Sequence, residues 1–336
     1  MPSKIAVLGA GNMGTAVAQI LAEKDHEVRL WDRNPETVRT MRRTGRNERF
    51  LSGIKLSRRI AAYEKIGEAV SGCGLMVIAV TSAHVRRVAS ELARYLEKQS
   101  RAVVAHIAKG LEPKTLRTMH EVIQGELPPE LARQVVTLSG PSIAKEFVRS
   151  VPTAVVAASE NESAAQFVQK AFHSLSFKVV FSRDVRGVGL CGAMKNVYAI
   201  ALGMCDGMEY EMNAKAFLFS AALHEMAEAV HKLGGHRETV YGLAGAGDLV
   251  VTGLGTGRNR AVGERICREG HCRFIFAPGE ETAEGVPAAK AFVEYARQKK
   301  LLVPIAEMVY RVLYRNADPC KGIERLFADY RFSETP

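Results

Sequence analysis

Residues 5–14 read IAVLGAGNMG, an apolar run that ends in glycines at positions 9, 11 and 14. The spacing fits G-x-G-x-x-G, and its context predicts a buried strand that leads into a helix over 15–23. Gly9 permits a tight turn, Gly11 lets a ligand approach the backbone, and Gly14 allows close packing of helix on strand. The stretch predicts a dinucleotide pyrophosphate site at the helix N-terminus, where free N–H groups face the anion. A glycine turn that binds no ligand is the alternative.

Further runs rich in Val, Ile and Ala alternate with helical patterns in the first half of the chain. They cover 28–31, 76–80, 102–107, 135–138, 153–157 and 177–181. Strands that alternate with helices at this spacing predict a mostly parallel sheet covered on both faces. We therefore expect an α/β fold whose N-terminal domain, residues 1–185, is doubly wound and Rossmann-like.

The second half of the chain has helical periodicity instead. Its predicted helices are 187–206, 213–233, 258–269, 286–299 and 303–314, and the glycine-rich stretch 241–257 is the longest segment that we expect to be irregular. An all-α C-terminal domain over 186–336 is the expectation.

Composition excludes several classes of protein. The 336 residues suggest two domains at about 150 residues each, and a net charge of +10 favours anionic partners. Basic residues occur as scattered pairs, so no nucleic-acid partner is expected. No apolar run reaches the roughly 18 residues of a membrane span, and the N-terminus has no basic region or cleavage site, so we expect a cytoplasmic protein without a membrane span. The cysteines form no C-x-x-C pair and no zinc-helix spacing occurs, so no metal is expected.

The acidic residue that follows the second strand bears on the choice of cofactor. Asp32 follows Gly14 at close to the roughly 20-residue spacing of an acid that binds the adenosine ribose, which favours NAD over NADP. Arg33 comes next and has two possible roles, stacking on adenine or pairing with a 2′-phosphate. The cofactor is thus NAD or NADP with NAD slightly favoured, and Asp32 as an ordinary turn residue is the alternative.

Two lysines stand in settings that suit proton transfer. Lys195 and Asn196 lie in an otherwise apolar, small-residue segment, where loss of hydration would lower the lysine pKa; an ammonium that reaches water is the alternative. Lys109 follows a buried strand at the carboxyl edge where doubly wound folds bind ligands, and residues 140–142 follow the next strand.

A third cluster combines glycines with polar residues. Residues 245–252 read GAGDLVVT and 255–260 read GTGRNR. Closely spaced glycines let backbone amides converge on an anion, and Arg258 and Asn259 would add a charged fork and an amide to a phosphate site. Arg258 as a solvated helix-start residue and Asp248 as a helix cap are the alternatives.

Taken together, these motifs resemble the NAD(P)-dependent sn-glycerol-3-phosphate dehydrogenases over essentially the whole chain. The match rests on 9–14, Lys109-Gly110, 139–142, 191–197, 247–249, Arg258-Asn259 and Glu284-Gly285. The resemblance implies reversible reduction of dihydroxyacetone phosphate to glycerol 3-phosphate for phospholipid synthesis, and a homodimer.

The resemblance also implies roles for individual residues. Lys195 would be the general acid or base, Asp248 would orient it, and Lys109 would hold the substrate oxygen. The substrate-binding residues would be Lys109, Gly140, Ser142, Lys195, Asn196, Asp248, Thr252, Gly257, Arg258 and Asn259. The cofactor-binding residues would be Gly9, Gly11, Asn12, Met13, Gly14, Asp32, Arg33, Lys109, Ala144, Arg258 and Glu284.

The chain departs from the usual bacterial pattern at several points, one of which is a loop from Asp248 to Arg258 about one residue shorter than in many bacterial members. Met13 stands where an aromatic residue is common, and Gly257 replaces a serine that often precedes the Arg-Asn pair. Two other functions are compatible with the fold: a related reductase of the 6-phosphogluconate, 2-hydroxyacid or ketopantoate type, and a nicotinamide-binding sensor without chemistry. The segment around Arg258 disfavours the first, and the two lysines with Asp248 disfavour the second.

Overall fold

The computed structural model describes residues 3–96, 102–113, 115–276 and 283–332. The chain divides into two compact units, one of residues 1–109 and 119–185 and the other of residues 110–118 and 186–336. Residues 110–118, which the sequence does not set apart from their neighbours, thus belong to the second unit.

The first unit is built on an eight-stranded sheet of order β3-β2-β1-β4-β5-β6-β7-β8. The first six strands are parallel and have the order of doubly wound dinucleotide-binding folds, whereas β7 runs antiparallel to β6. The strands are β1 (Lys4–Leu8), β2 (Glu27–Trp31), β3 (Ile60–Tyr63), β4 (Leu75–Ile78), β5 (Val103–His106), β6 (Val135–Ser139), β7 (Thr153–Ala158) and β8 (Phe177–Ser182).

Alternate residues of β1, β2, β4, β5 and β6 enter two separate apolar layers. On β1, Ile5 and Val7 pack into one layer, while Ala6 and Leu8 pack into the other. Helices cover both layers: α1 (Asn12–Glu23), α2 (Pro35–Thr44), α3 (Ile66–Val70), α4 (Ser82–Leu96), α5 (Met119–Glu126), α6 (Pro129–Ala132), α7 (Ala144–Phe147) and α8 (Glu162–Phe172). The predicted doubly wound, mostly parallel fold is confirmed.

Every strand predicted from the sequence is present, and β3 is the one that the sequence did not indicate. Its residues Ile60–Tyr63 are partly exposed, because the strand lies at the edge of the sheet. A short edge strand lacks the continuous apolar run that marks a buried parallel strand, so the periodicity there is weak.

After β8 the described chain is helical. Its helices are α9 (Val185–Gly207), α10 (Met212–Lys232), α11 (Arg237–Tyr241), α12 (Arg258–Glu269), α13 (Gly285–Gln298), α14 (Pro304–Arg315) and α15 (Pro319–Asp329), with a 3₁₀ turn at Arg273–Phe276. By length and composition α9 could cross a membrane, but 94% of its most apolar window is buried inside the fold. That burial is typical of the central helix of a domain.

The glycine-rich stretch 241–257 is not irregular, and that expectation is wrong. It forms two π-helical turns, π1 (Leu243–Gly247) and π2 (Val250–Leu254), with Asp248 and Leu249 in α-helical geometry between them. Glycine lowers helix propensity, which hid the helix in the sequence. Wide turns of this kind occur often at functional sites.

Helices α9 and α12 approach each other at glycines. A Cβ on Gly203 would lie 1.9 Å from the carbonyl oxygen of Arg260, and a Cβ on Gly263 would lie 1.9 Å from that of Ile200. The two backbones are therefore in direct contact, which brings the N-terminus of α12 close to the middle of α9.

Candidate functional site

The glycine turn after β1 has the geometry that its sequence predicts. Gly9 has φ +117°, and a Cβ there would lie 2.9 Å from the carbonyl oxygen of Ala79. A Cβ on Gly14 would lie 1.8 Å from the carbonyl oxygen of Gly9, whereas a Cβ on Gly11 would meet no atom within 4 Å. Gly9 and Gly14 are therefore needed for packing, whereas Gly11 leaves open space at the N-terminus of α1.

Asp32 is tied to this turn. Its Oδ2 accepts the Ala10 N–H at 3.0 Å, and its Oδ1 accepts the Asn34 N–H at 2.8 Å. Each carboxylate oxygen can accept a second hydrogen bond, so Asp32 can also receive ribose hydroxyls. It joins the end of β2 to the glycine turn.

Two arginines, Arg33 next to Asp32 and Arg87 on α4, place positive charge near His84. The Arg33 side chain is exposed. Burial, followed by the positive charges of Arg33 and Arg87, lowers the pKa of His84. Two guanidinium groups therefore act on one imidazole near the carboxyl edge of the sheet.

Asn47 also holds the glycine turn, and the sequence analysis missed it. The side chain is buried, and its Nδ2 donates to the carbonyl oxygen of Ala10 and to Oγ1 of Thr15, both at 2.8 Å. No motif surrounds Asn47, and an asparagine between helix and strand reads as a turn residue, so the sequence carried no signal for this role.

The two middle residues of the fingerprint have different surroundings. Oδ1 of Asn12 accepts the Leu51 N–H at 3.2 Å, which fixes that side chain to the loop after α2. Met13 packs against the apolar layer beneath α1 and lines a cavity of about 20 Å³ together with Lys109 and Ser142.

Lys109 and residues 140–142 meet where β5 and β6 end. The Lys109 Nζ donates to the carbonyl oxygen of Gly140 at 3.2 Å, and the Ser142 Oγ donates to the same oxygen at 3.0 Å. Gly110 and Gly140 have φ of +142° and +128°, so both loops turn sharply after their strands. Ala144 follows as the first residue of α7 and is buried.

Ser139 lines the same cavity. Among the described residues, its Oγ is the one buried side-chain nitrogen or oxygen without a hydrogen-bond partner. A cavity of about 20 Å³ has room for one water, and an unpaired hydroxyl in its wall is a hydrogen-bonding site for a water.

In the second unit, Lys195 forms a buried ion pair. Its Nζ lies 2.6 Å from Oδ1 of Asp248 and donates to Oγ1 of Thr252 at 2.8 Å. Lys195 is 6% exposed and Asp248 is 1% exposed. The alternative of an ammonium that reaches water is therefore excluded for this lysine.

The four-residue spacing of Asp248 and Thr252 explains why both side chains reach the same ammonium. Asp248 lies between π1 and π2, and Thr252 lies one turn further, within π2. In a helix such a spacing places both side chains on one face, so both can approach Lys195 on α9.

Asn196, next to Lys195, binds the first turn of α12. The Asn259 Nδ2 donates to Oδ1 of Asn196 at 2.9 Å, and Oδ1 of Asn259 accepts the Gly285 N–H at 2.8 Å. A Cβ on Gly285 would lie 2.5 Å from the Asn196 carbonyl oxygen, so glycine is required. Asn259 thereby links α9, α12 and α13.

The remaining predicted residues lie at helix starts of the second unit. Gly257 is the N-cap of α12, and Arg258 is its exposed first residue. Glu284 is the N-cap of α13, directly before Gly285. The N-terminus of α12 thus presents backbone N–H groups beside a guanidinium, an arrangement that binds phosphate.

The arrangement in the second unit supports proton transfer to an oxygen. A buried ammonium held by a carboxylate and a hydroxyl can stabilise negative charge that develops on a substrate oxygen and can supply a proton. Among the residues that the structure describes, no group of three or more His, Cys, Asp or Glu side chains is placed to hold a metal ion.

Comparison with known proteins gives one consistent result. A family model described as NAD-dependent glycerol-3-phosphate dehydrogenase N-terminus matches residues 4–165, and its C-terminus counterpart matches residues 184–324.

Individual relatives agree with the family models. The chain is 42% identical over 327 residues to glycerol-3-phosphate dehydrogenase (NAD(P)+) of Citrifermentans bemidjiense, with 97% of each chain covered. It is 41% identical over 317 residues to the protein of that name from Geobacter sp. strain M21, with 94% of each chain covered. The crystal structure of glycerol-3-phosphate dehydrogenase from Coxiella burnetii matches with a TM-score of 0.89 and 33% identity, over 97% of this chain and 99% of that one.

Proposed function

The chain belongs to the NAD-dependent glycerol-3-phosphate dehydrogenase family, and on that premise we propose how its residues reduce dihydroxyacetone phosphate to sn-glycerol 3-phosphate. The name of these relatives states that the reaction depends on NAD(P), and the proposed reaction runs in both directions. The observation that carries the proposal is the buried contact between Lys195 and Asp248.

Lys195 is the general acid in the reductive direction. Hydride addition to a ketone leaves negative charge on its oxygen, and the Lys195 ammonium stabilises that charge and donates a proton to the oxygen. In the oxidative direction the neutral amine takes the proton back. Asp248 and Thr252 fix the direction of Nζ, which keeps the amine aligned through both steps.

The start of α12 binds the substrate phosphate. Arg258 provides a charged fork, the Asn259 side chain is held rigid by Asn196 and Gly285, and the helix N-terminus adds backbone N–H groups. Gly257 offers its N–H but no hydroxyl, and a Cβ at this position would lie 2.6 Å from the Thr252 carbonyl oxygen, so the backbone here requires glycine.

In the first unit, Lys109 holds the substrate oxygen that accepts or loses the proton. Its contact with the Gly140 carbonyl, shared with Ser142, fixes the ammonium at the carboxyl edge of the sheet. Gly140 and Ser142, in the turn after β6, also contact the substrate.

The glycine turn and its neighbours fit a nicotinamide dinucleotide. The open space over Gly11, the free N-terminus of α1 and the fixed carboxylate of Asp32 suit pyrophosphate and ribose respectively. When bound, the cofactor supplies or accepts the hydride. NAD is slightly favoured because Asp32 repels a 2′-phosphate, while the charge of Arg33 keeps NADP usable.

Further cofactor contacts come from residues at the start of helices. Ala144 begins α7, Arg258 begins α12 and Glu284 caps α13. Asn12 and Met13, in the first turn of α1, complete the set. We further propose that the protein works as a cytoplasmic homodimer that supplies glycerol 3-phosphate for phospholipid synthesis.

The test compares a phosphorylated with an unphosphorylated ketone. NADH and NADPH oxidation is followed with dihydroxyacetone phosphate and with dihydroxyacetone at equal concentrations. Turnover confined to the phosphorylated ketone is expected. Lys195→Met abolishes turnover and Lys299→Met, at an exposed lysine, does not. Faster turnover of an unphosphorylated 2-keto acid, or normal turnover by Lys195→Met, contradicts the proposal.

A further inference from the structure

Two buried histidines lie close to the loop that contains Lys109. His106 is the last residue of β5, and His120 lies in the first turn of α5. Thr137, on β6, pairs directly with His106 in the sheet and lies between the two rings. The exposed fractions are 1% for His106, 3% for Thr137 and 3% for His120.

The three side chains form one continuous hydrogen-bonded chain. The His106 Nδ1 lies 3.2 Å from the Ala108 carbonyl oxygen, and its Nε2 lies 2.8 Å from the Thr137 Oγ1. The His120 Nδ1 lies 3.0 Å from the same Thr137 oxygen. The chain thus runs from α5 through β6 to the backbone of the loop after β5.

The Ala108 carbonyl fixes the direction of every hydrogen bond in this chain. A carbonyl oxygen only accepts, so the His106 Nδ1 must carry the proton. In a neutral ring Nε2 is then an acceptor, and the single hydroxyl proton of Thr137 must point at it. The Thr137 oxygen can therefore only accept from His120, whose Nδ1 must also carry a proton.

Both rings are held in the neutral state that this direction requires. Burial, with a contribution from nearby His120, lowers the pKa of His106 to about 3. Burial likewise lowers the pKa of His120 to about 4, against the opposing effect of Glu121. At neutral pH the chain therefore keeps one direction, from His120 toward Ala108.

The end point of this chain is the residue before Lys109. The Ala108 carbonyl belongs to the peptide group that joins Ala108 to Lys109, so the His106 bond fixes the plane from which the lysine side chain leaves. The Lys109 Nζ in turn contacts the Gly140 carbonyl at 3.2 Å. The loop after β5 is thus held at its backbone by His106 and, through the Lys109 side chain, by the carbonyl of Gly140 after β6.

We propose that His106, oriented by Thr137 and His120, is a positioning residue for Lys109 in the dehydrogenase reaction. The inference rests on the substrate-binding role proposed above for Lys109. The physical basis is geometric. The buried His106 Nδ1 donates to the Ala108 carbonyl and so restricts the backbone from which the Lys109 side chain extends. Misplacing the Lys109 ammonium by about 1 Å can lower the rate roughly 100-fold.

Two substitutions of His106 separate positioning from packing. In His106→Asn the side-chain amide nitrogen takes the place of Nδ1 and still donates to the Ala108 carbonyl. In His106→Gln the nitrogen takes the place of Nε2 and that donor is lost. We expect kcat/KM within about 3-fold of wild type for His106→Asn and a fall of roughly 10- to 100-fold for His106→Gln.

Controls distinguish this effect from loss of stability alone. His26, a buried histidine that accepts the Ser3 N–H, provides the matched variant His26→Gln, which lowers Tm without changing kcat/KM. Thr137→Val removes the hydroxyl at almost constant volume, and a partial fall in kcat/KM is expected because the His106 Nε2 loses the donor that helps to orient the ring. If His106→Gln does not fold, Thr137→Val decides the matter.

The decisive measurement repeats His106→Gln in a Lys109→Ala background. A residue that acts through Lys109 has no further effect once that lysine is gone, so the double variant should match Lys109→Ala in kcat/KM. An additional 10-fold fall overturns the positioning role and leaves the proposed function intact. Unchanged activity of Lys109→Ala itself overturns the substrate-binding role of Lys109, and with it the positioning role of His106.

The tautomers give a readout that does not depend on activity. ¹⁵N chemical shifts at pH 7 should show both His106 and His120 with the proton on Nδ1. A proton on Nε2 of His106 contradicts the direction of the chain and overturns the inference.

Discussion

Lys195 Nζ and Asp248 Oδ1 lie 2.6 Å apart with both side chains buried, so each charge depends on the other. Breaking such a pair from one side leaves an uncompensated buried charge, whereas removing both charges does not. The pair therefore contributes to stability and to catalysis in ways that can be measured separately.

Lys195→Met should lower the free energy of unfolding by roughly 3–5 kcal/mol, because Asp248 is then buried without a counter-charge. The double variant Lys195→Met/Asp248→Leu should recover most of that loss, yet remain inactive. Urea unfolding and the NAD(P)H assay measure the two effects. If the double variant is less stable than either single variant, the two charges are not coupled.

Asn259→Ala should lower both stability and substrate affinity. It leaves the Asn196 side chain and the Gly285 N–H without partners, which costs about 1–3 kcal/mol, and it loosens the phosphate site, which raises KM for dihydroxyacetone phosphate. Arg258→Ala, at the exposed neighbour, should raise KM with little change in Tm. Equal effects of both variants on Tm would argue against this division of roles.

Gly203→Ala and Gly263→Ala should each destabilise the helical unit by at least about 1–3 kcal/mol, because the added methyl meets a carbonyl oxygen of the partner helix. Gly53→Ala is the matched control, since a Cβ there meets no atom within 4 Å. Thermal unfolding compares the three. Wild-type stability of the first two variants would contradict the close approach of α9 and α12.

Asp32→Asn should shift cofactor preference toward NADPH. The substitution removes the charge that repels a 2′-phosphate and also one of the two backbone hydrogen bonds that Asp32 accepts. The lost bond affects both cofactors, so the NADPH to NADH ratio of kcat/KM should still rise about 10-fold, or about 1.4 kcal/mol. Arg39→Ala, at an exposed arginine on α2, is the control. An unchanged ratio would mean that Asp32 serves only to hold the glycine turn.

Glu225 should make stability depend on pH. Burial raises its pKa from 4.5 to about 7, although the N–H groups of Ile305 and Ala306 and the Tyr198 hydroxyl oppose the shift. The folded state therefore favours the protonated acid, and this stabilisation is present below pH 4.5 and is lost as pH rises through about 7.

A matched pair of variants tests this sign. Relative to Glu225→Gln, the wild type should lose up to about 3 kcal/mol of unfolding free energy between pH 4.5 and 8. Glu211→Gln, at an exposed residue before α10, should follow the wild type. A wild type that gains stability relative to Glu225→Gln over this range would reverse the assignment.

The sequence by itself determined the doubly wound sheet, the helical second half and the identity of the family. Strand and helix periods are local, and the glycine spacing 9, 11 and 14 after an apolar strand encodes the turn of a dinucleotide-binding fold. The sequence did not predict the edge strand β3 or the helical residues 243–254, because a partly exposed strand and a glycine-rich helix both lack a strong hydrophobic periodicity.

Only the tertiary structure decided which side chains meet. Asn47 reaches the glycine turn, Asn259 reaches Asn196 and Gly285, and His106 reaches Thr137 and Ala108. Such contacts join residues that are distant in the chain, and their energy depends on burial and direction, which no local pattern records. Burial also settled that the Lys195 ammonium is held by Asp248 and does not reach water.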